Sequence, residues 1–245
     1  MPKSYVAIFV ATSLEFGFIK KALTNPRRIL FDGILCASGI LNNHDILLVK
    51  TGVGLLNAKR VFDAVIHRPY KISLVINVGT GGALNPAYAV GGVVIVQRVI
   101  NENDHMAFTA NPVDCEMEGV CSLYTQSTLI SVNQPVLSTL RKDFYRKAFD
   151  ADVVDMEAAV LLQGSIHQCI PCHVIKGISD YADESMNFPE GLLYADEKLI
   201  YRKEKILISF LQRPVTFIKA LINIYMNGKF AMKNAIGVLE KVLMP

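Results

Sequence analysis

Short apolar runs punctuate the chain at 5–10, 46–50, 74–78, 93–99 and 173–178, rich in Val and Ile and apolar at consecutive rather than alternate positions. Such runs predict strands buried on both faces. Between them, over 14–23, 55–66, 136–149 and 156–167, apolar residues recur every three or four positions, which is the spacing of one helix face. Strand and helix alternate, so the pattern predicts an α/β fold with a parallel or mixed sheet. No internal repeat or low-complexity linker interrupts it, and one domain is expected.

The pattern changes after Pro189. Arg202, Lys203, Glu204 and Lys205 form a charged stretch, 206–211 is apolar, and Pro214 suits the first turn of a helix. From 215 to 243, Thr216, Lys219, Asn223 and Asn227 fall opposite Phe217, Ile218, Leu221, Ile222, Ile224 and Tyr225. The chain therefore divides into a domain over 1–205 and an amphipathic helical extension of it over 206–245, broken or bent near Gly228. Lys219, Asn223 and Asn227 interrupt any run of about 20 apolar residues, which argues against a membrane span. The apolar face is expected to pack on the domain or on a second copy in a homodimer. The alternative is peripheral membrane contact, for which Lys219, Lys229, Lys233 and Lys241 suit an anionic surface.

Composition sharpens this picture. The 245 residues are 51% apolar and 19% charged, which excludes a disordered chain and requires a large core or a covered apolar surface. The formal charge of 25 − 22 = +3, without a block of like charge, gives no basis for nucleic-acid binding. Five cysteines, an odd number, and a first strand preceded only by Lys3 point to a reduced, cytoplasmic setting.

Several motifs fail on inspection. Gly52-Val53-Gly54-Leu55-Leu56-Asn57 starts like a dinucleotide fingerprint, but Asn57 stands where the third glycine belongs and no acidic residue ends a following strand. Cys169-Ile170-Pro171-Cys172-His173 has the spacing of a haem-attachment or dithiol motif, yet it enters a strand rather than opening a helix, so both cysteines are expected to be buried and structural. Asp114, Glu116 and Glu118, beside Cys115 and Cys121, read as a solvated acidic loop rather than a metal site. No metal and no cofactor is expected.

Four segments remain, each where a strand ends: Glu15 after the first strand, the Gly79-Thr80-Gly81-Gly82 turn, Asp155-Met156-Glu157-Ala158 at a helix start, and Ser179-Asp180. Strand ends on one edge of an open α/β sheet are where ligands bind. Each segment also has a plain structural use: Glu15 and Glu157 complement helix N-termini, and Ser179-Asp180 caps a helix.

In order, Val75-Ile76-Asn77-Val78-Gly79-Thr80-Gly81-Gly82, Val90-Gly91-Gly92-Val93-Val94, Val154-Asp155-Met156-Glu157-Ala158 and Lys176-Gly177-Ile178-Ser179-Asp180-Tyr181-Ala182-Asp183 resemble the purine nucleoside phosphorylase superfamily, most closely its 5′-methylthioadenosine/S-adenosylhomocysteine nucleosidase branch. The resemblance covers roughly residues 5–188. It implies a three-layer αβα sandwich around a mixed sheet, and hydrolysis of the N-glycosidic bond of an adenosine-type nucleoside. It further implies that Asp180, held by Ser179, protonates the departing purine and that Glu15 activates water. Glu157 would accept ribose hydroxyls with Met156 against the sugar, while Val53, Thr80, Gly81, Gly82 and Asp155 complete the substrate site.

The departures are specific. Asn77 stands where bacterial phosphorylases of the superfamily carry a phosphate-binding arginine, which favours water as nucleophile. The stretch Ser131-Val132-Asn133-Gln134-Pro135-Val136 lacks the aromatic that flanks the purine in the nucleosidase, and Lys176 replaces an arginine. The tail loosely resembles the hopanoid-pathway branch, whose adenosylated substrate is a lipid. Futalosine hydrolase, with the same fold and reaction, is a further alternative, and a catalytically silent binding relative is the non-enzyme one.

Overall fold

The computed structural model describes residues 3–113, 123–185 and 214–244. The elements are β1 (Ser4–Val10), α1 (Ser13–Ala22), β2 (Thr24–Phe31), β3 (Ile34–Leu41), β4 (His44–Lys50), α2 (Leu55–Ile66), β5 (Lys71–Ala83), β6 (Val93–Asn101), β7 (Ala107–Thr109), β8 (Leu123–Ser131), α3 (Thr139–Phe149), β9 (Val153–Asp155), α4 (Ala158–His167), β10 (Cys172–Asp180) and α5 (Pro214–Val242). The acidic stretch with Asp114, Glu116 and Glu118, the charged stretch 202–205, the 205/206 boundary and the side chains of Thr216 and Phe217 lie outside the described residues.

The strands form one mixed sheet in the order β10-β6-β8-β9-β5-β1-β4-β3-β2, with β7 on β6. Because β10 also pairs with β5, the strands β5, β10, β6, β8 and β9 close into a ring, and β1, β4, β3 and β2 extend from its side. β1 lies parallel to both β4 and β5, which buries it on both faces as its continuous apolar run requires. Its residues divide between two cores. Ala7 and Phe9 pack with Val61, Phe62 and Leu161 from α2 and α4, whereas Val6, Ile8 and Val10 pack with Phe16 and Ile19 of α1 and with Met232, Ala235 and Leu239 of α5. These are the three layers of an αβα sandwich. A third cluster, with Ile130, Val132, Val136 and Tyr145, seats α3 beside the ring.

The structure departs from the hydrophobic pattern in three instructive places. Gly79-Thr80-Gly81-Gly82 is not a turn: β5 runs through it to Ala83. Pairing of β5 with β1 ends at Phe9↔Asn77, pairing with β9 begins only at Gly82↔Val154, and β10 accompanies the other edge throughout. The strand thus changes partner across the glycines, and its edge is open between. Crowding explains their identity, since a Cβ on Gly81 would lie 2.7 Å from Val153 Cγ1 and one on Gly79 2.9 Å from Glu15 Oε1.

Helix α5 is continuous through Gly228, contrary to the expected break there. Its C-terminal half packs as an amphipathic helix should, with Ala231, Met232, Ala235, Val238, Leu239 and Leu243 buried. Its N-terminal half does not: Ile218, Leu221, Ile222, Ile224, Tyr225 and Met226 are all exposed. Of the coverings expected for this apolar face, packing on the domain therefore holds for the C-terminal half, and the described residues leave 218–226 uncovered.

The Cys169/Cys172 pair is also split. Cys172 begins β10 and is fully buried, its thiol pushed up to about 12 by desolvation, as is that of buried Cys36. Cys169, expected to be buried, is exposed, because a left-handed residue (φ +54°) in the turn after α4 directs it outward.

Candidate active site

Helix α1 begins where β1 ends, and a capping box fixes its first turn. Thr12 accepts from the Glu15 N–H at 3.2 Å, and Glu15 Oε2 accepts from the N–H groups of Thr12 at 2.8 Å and Ala11 at 3.0 Å. The expected capping use of Glu15 is real, but it engages one oxygen only. Oε1 turns to the open edge of β5 and accepts from the Thr80 N–H at 3.0 Å and the Thr80 hydroxyl at 3.3 Å. Absence of a Cβ at Gly79 is what lets the carboxylate reach that edge.

Glu157 is the N-cap residue of α4 but makes no capping bond to its own helix. Its Oε1 accepts instead from the Gly54 N–H, at the start of α2, at 2.8 Å. Asp155 takes over the local work at the end of β9: Oδ2 accepts from the Ala158 N–H at 3.0 Å, and Oδ1 accepts from Ser131 Oγ at 2.5 Å. Behind them Lys176 Nζ, fully enclosed, lies 2.7 Å from Asp155 Oδ2. Asp180 ends β10. Its Oδ1 accepts from Ser179 Oγ at 2.8 Å, and no described helix starts there, so the capping use expected of this pair is absent among the described residues. Its Oδ2 faces Lys142 of α3, whose buried ammonium donates at 2.6 Å.

These segments surround one pocket of about 250 Å³ at the open edge of β5. Glu15, Val53, Thr80, Gly81, Gly82, Asp155, Met156, Glu157, Ser179 and Asp180 all line it, so the ten residues expected to act on or bind the substrate lie around one pocket. Val132, Pro135, Val136 and Leu137 form an apolar wall, and Ile224 of α5 closes one side. Asn77 is not in the lining: it is buried and donates to the Phe9 carbonyl at 3.3 Å.

The electrostatic layout is unusual. The titratable side chains of the described lining, Glu15, Asp155, Glu157 and Asp180, are all acids, and two buried lysines stand behind them. Burial raises Glu157 to about 8, and nearby Asp155 adds to the rise while Lys176 and the Gly54 N–H oppose it. Burial works against the charge of Lys176, but Asp155, Glu157 and Glu15 outweigh it and hold its pKa above the usual value. The raised value favours the protonated form of Glu157 at neutral pH.

Sequence reasoning missed Lys142 and Ile224. The signal for Lys142 was its spacing, since it shares a helical face with buried Tyr145 and with Phe149.

The sequence profile of the phosphorylase superfamily matches residues 5–211. The chain belongs to that superfamily. It is 26% identical over 199 residues to a 5′-methylthioadenosine/S-adenosylhomocysteine nucleosidase of Staphylococcus aureus, an alignment covering 73% of this chain and 87% of that protein. The nucleosidase of Streptococcus pneumoniae, solved with a transition-state inhibitor, has the same fold: TM-score 0.75 at 17% identity, covering 98% of each chain. A futalosine hydrolase mutant of Helicobacter pylori aligns with TM-score 0.61 at 16% identity, over 72% of this chain and 89% of the other.

Proposed function

We propose that this protein is a hydrolytic nucleosidase that cleaves the N-glycosidic bond of an adenosine-type nucleoside substituted at the 5′ position. One observation carries the reading: Glu15, Glu157 and Asp180 converge on one pocket of a superfamily member. The named relatives, methylthioadenosine and adenosylhomocysteine nucleosidases, support the substrate class.

Cleavage develops positive charge on the sugar and negative charge on the purine. Asp180, steadied by Ser179, supplies the proton that neutralises the departing base, and a positioned proton transfer of this kind contributes roughly 10²- to 10⁴-fold. Glu15 Oε1, on the open strand edge, holds and activates the water that attacks C1′. Glu157 engages the ribose hydroxyls beside Met156, and Asp155 keeps the Glu157 turn in place through Ala158, Ser131 and Lys176. Phosphate is disfavoured as the nucleophile because the described lining offers it four acids and no lysine or arginine.

We read the enzyme as a cytoplasmic homodimer in which a second copy covers the exposed apolar turns of α5. A second reading, peripheral membrane contact with a lipid-linked adenosine as substrate, draws on two observations. Lys219, Lys229, Lys233 and Lys241 stand on α5 against Glu240 alone, and Ile224 brings the apolar helix to the pocket. Light scattering, with co-sedimentation on anionic vesicles, separates the two.

Adenine release from methylthioadenosine in phosphate-free buffer tests the activity. Full turnover without phosphate is expected, and strict dependence on phosphate overturns the hydrolytic assignment.

A further inference from the structure

Lys142 has no place in the chemistry described so far, yet it is one of the most completely enclosed side chains in the molecule, 1% exposed. It reaches from α3 to the back of the pocket. Its Nζ donates to Asp180 Oδ2 at 2.6 Å, to the Tyr181 carbonyl, and to the Glu184 carbonyl at 3.0 Å. Three acceptors around one nitrogen match the three N–H bonds of an ammonium, whereas a neutral amine fills only two of them. The helix is anchored for this purpose: Ser138 caps it by accepting from the Arg141 N–H, and Tyr145, one turn on, is buried in the cluster beside the ring.

The other charged groups do not substitute for Lys142. On the pocket side Asp180 shares the lining with Glu15, Asp155 and Glu157, all acids, and Lys176 is committed to Asp155. Glu184 contributes its backbone carbonyl, and Arg141, the neighbour of Lys142 on α3, turns to Tyr145 and the Pro135 carbonyl.

We propose that Lys142 is a positioning residue for proton delivery: it fixes the rotamer of the Asp180 carboxyl so that this group faces the leaving purine. The ammonium is in place to pair with the carboxylate left after the proton has gone to the base. With one oxygen held by Lys142 and the other by Ser179, the carboxyl cannot rotate away from the pocket. The step balances: the Asp180 O–H bond breaks, an N–H bond forms on the purine, the glycosidic electron pair moves to the base, and Lys142 keeps its protons. The inference rests on the assignment of Asp180 as general acid.

The experiment compares wild type, Lys142→Arg, Lys142→Met and Asp180→Asn on methylthioadenosine and on a nitrophenyl riboside, whose leaving group needs no protonation. In Lys142→Met, kcat on methylthioadenosine is expected to fall at least tenfold further than kcat on the nitrophenyl riboside. Lys142→Arg removes much of that difference, since a cation is back at the same place. If Lys142→Met lowers both substrates equally, Lys142 is a structural tie and the proposal fails. If Asp180→Asn itself shows no preference between substrates, the general-acid assignment has failed instead. Should Lys142→Met not fold, Lys142→Arg decides: loss of rate on both substrates alike overturns the proposal, and a loss confined to methylthioadenosine supports it.

Discussion

The backbone N–H of Gly54 points at Glu157 Oε1 from 2.8 Å, joining the start of α2 to the start of α4 through a side chain rather than through the sheet. Gly54 adopts φ +98°, a left-handed conformation in which other residues are strained, and this turn is what aims the N–H at the carboxyl. The bond ties the loop carrying Val53 to the segment carrying Met156, two parts of the pocket lining that are distant in sequence.

The proton on Glu157 gives a pH signature. In the folded chain Glu157 holds its proton up to about 8, and unfolded only up to about the ordinary 4.5, so between those values the folded state binds the extra proton. Stability contributed by this group is therefore present at low pH and declines as pH rises from 4.5 through 8. Glu157→Gln, which mimics the protonated carboxyl, is expected to flatten that part of the curve and to be more stable than wild type above pH 8, while losing activity. Melting temperature against pH for the two proteins measures this.

Glu15 carries two separable duties. Glu15→Gln keeps one side-chain oxygen, enough for the Ala11 and Thr12 N–H groups but not also for the Thr80 N–H, and removes the base, so turnover is expected to fall roughly 10²-fold or more, out of proportion to a modest loss of stability from the donor–donor contact at Thr80. Glu15→Ala also removes the reciprocal half of the capping box and is expected to lose about 1 kcal/mol of stability besides. Steady-state kinetics paired with chemical denaturation separates the duties.

The seat of α5 is set by Gly177 of β10. A Cβ there would lie 2.3 Å from the backbone oxygen of Ala231, so the helix must shift as a unit. Gly177→Ala is expected to cost about 1–3 kcal/mol. It should also raise KM, because Ile224 on the same rigid helix lines the pocket. Removing the chain after Gln212 is expected to lower melting further, since it uncovers the sheet under Met232, Ala235 and Leu239.

Much of this molecule was legible in its sequence where burial is two-sided. β1, β4, β5, β6 and β10 lie in the middle of the sheet, and their continuous apolar runs announce them. β2 was missed because it is an edge strand: it is exposed along most of its length and carries Asn25, Pro26 and two arginines, so no apolar run marks it. β9 was missed because three residues are too few to show a period. The pocket acids were legible because their segments stand at strand ends in a recognisable order. The partner of Lys142 was not: spacing places it on one helical face with Tyr145, but only the packing of α3 brings its charge to Asp180. The glycines of β5 were mistaken for a turn because a strand changing partners needs small residues just as a turn does.

The central claim, that water is the nucleophile at C1′, is tested most directly by turnover of methylthioadenosine in ¹⁸O-labelled water containing phosphate, with mass analysis of the freshly formed sugar. The account predicts adenine together with a methylthioribose carrying one ¹⁸O at C1. Formation of unlabelled methylthioribose 1-phosphate, or no release of adenine at all, would contradict it.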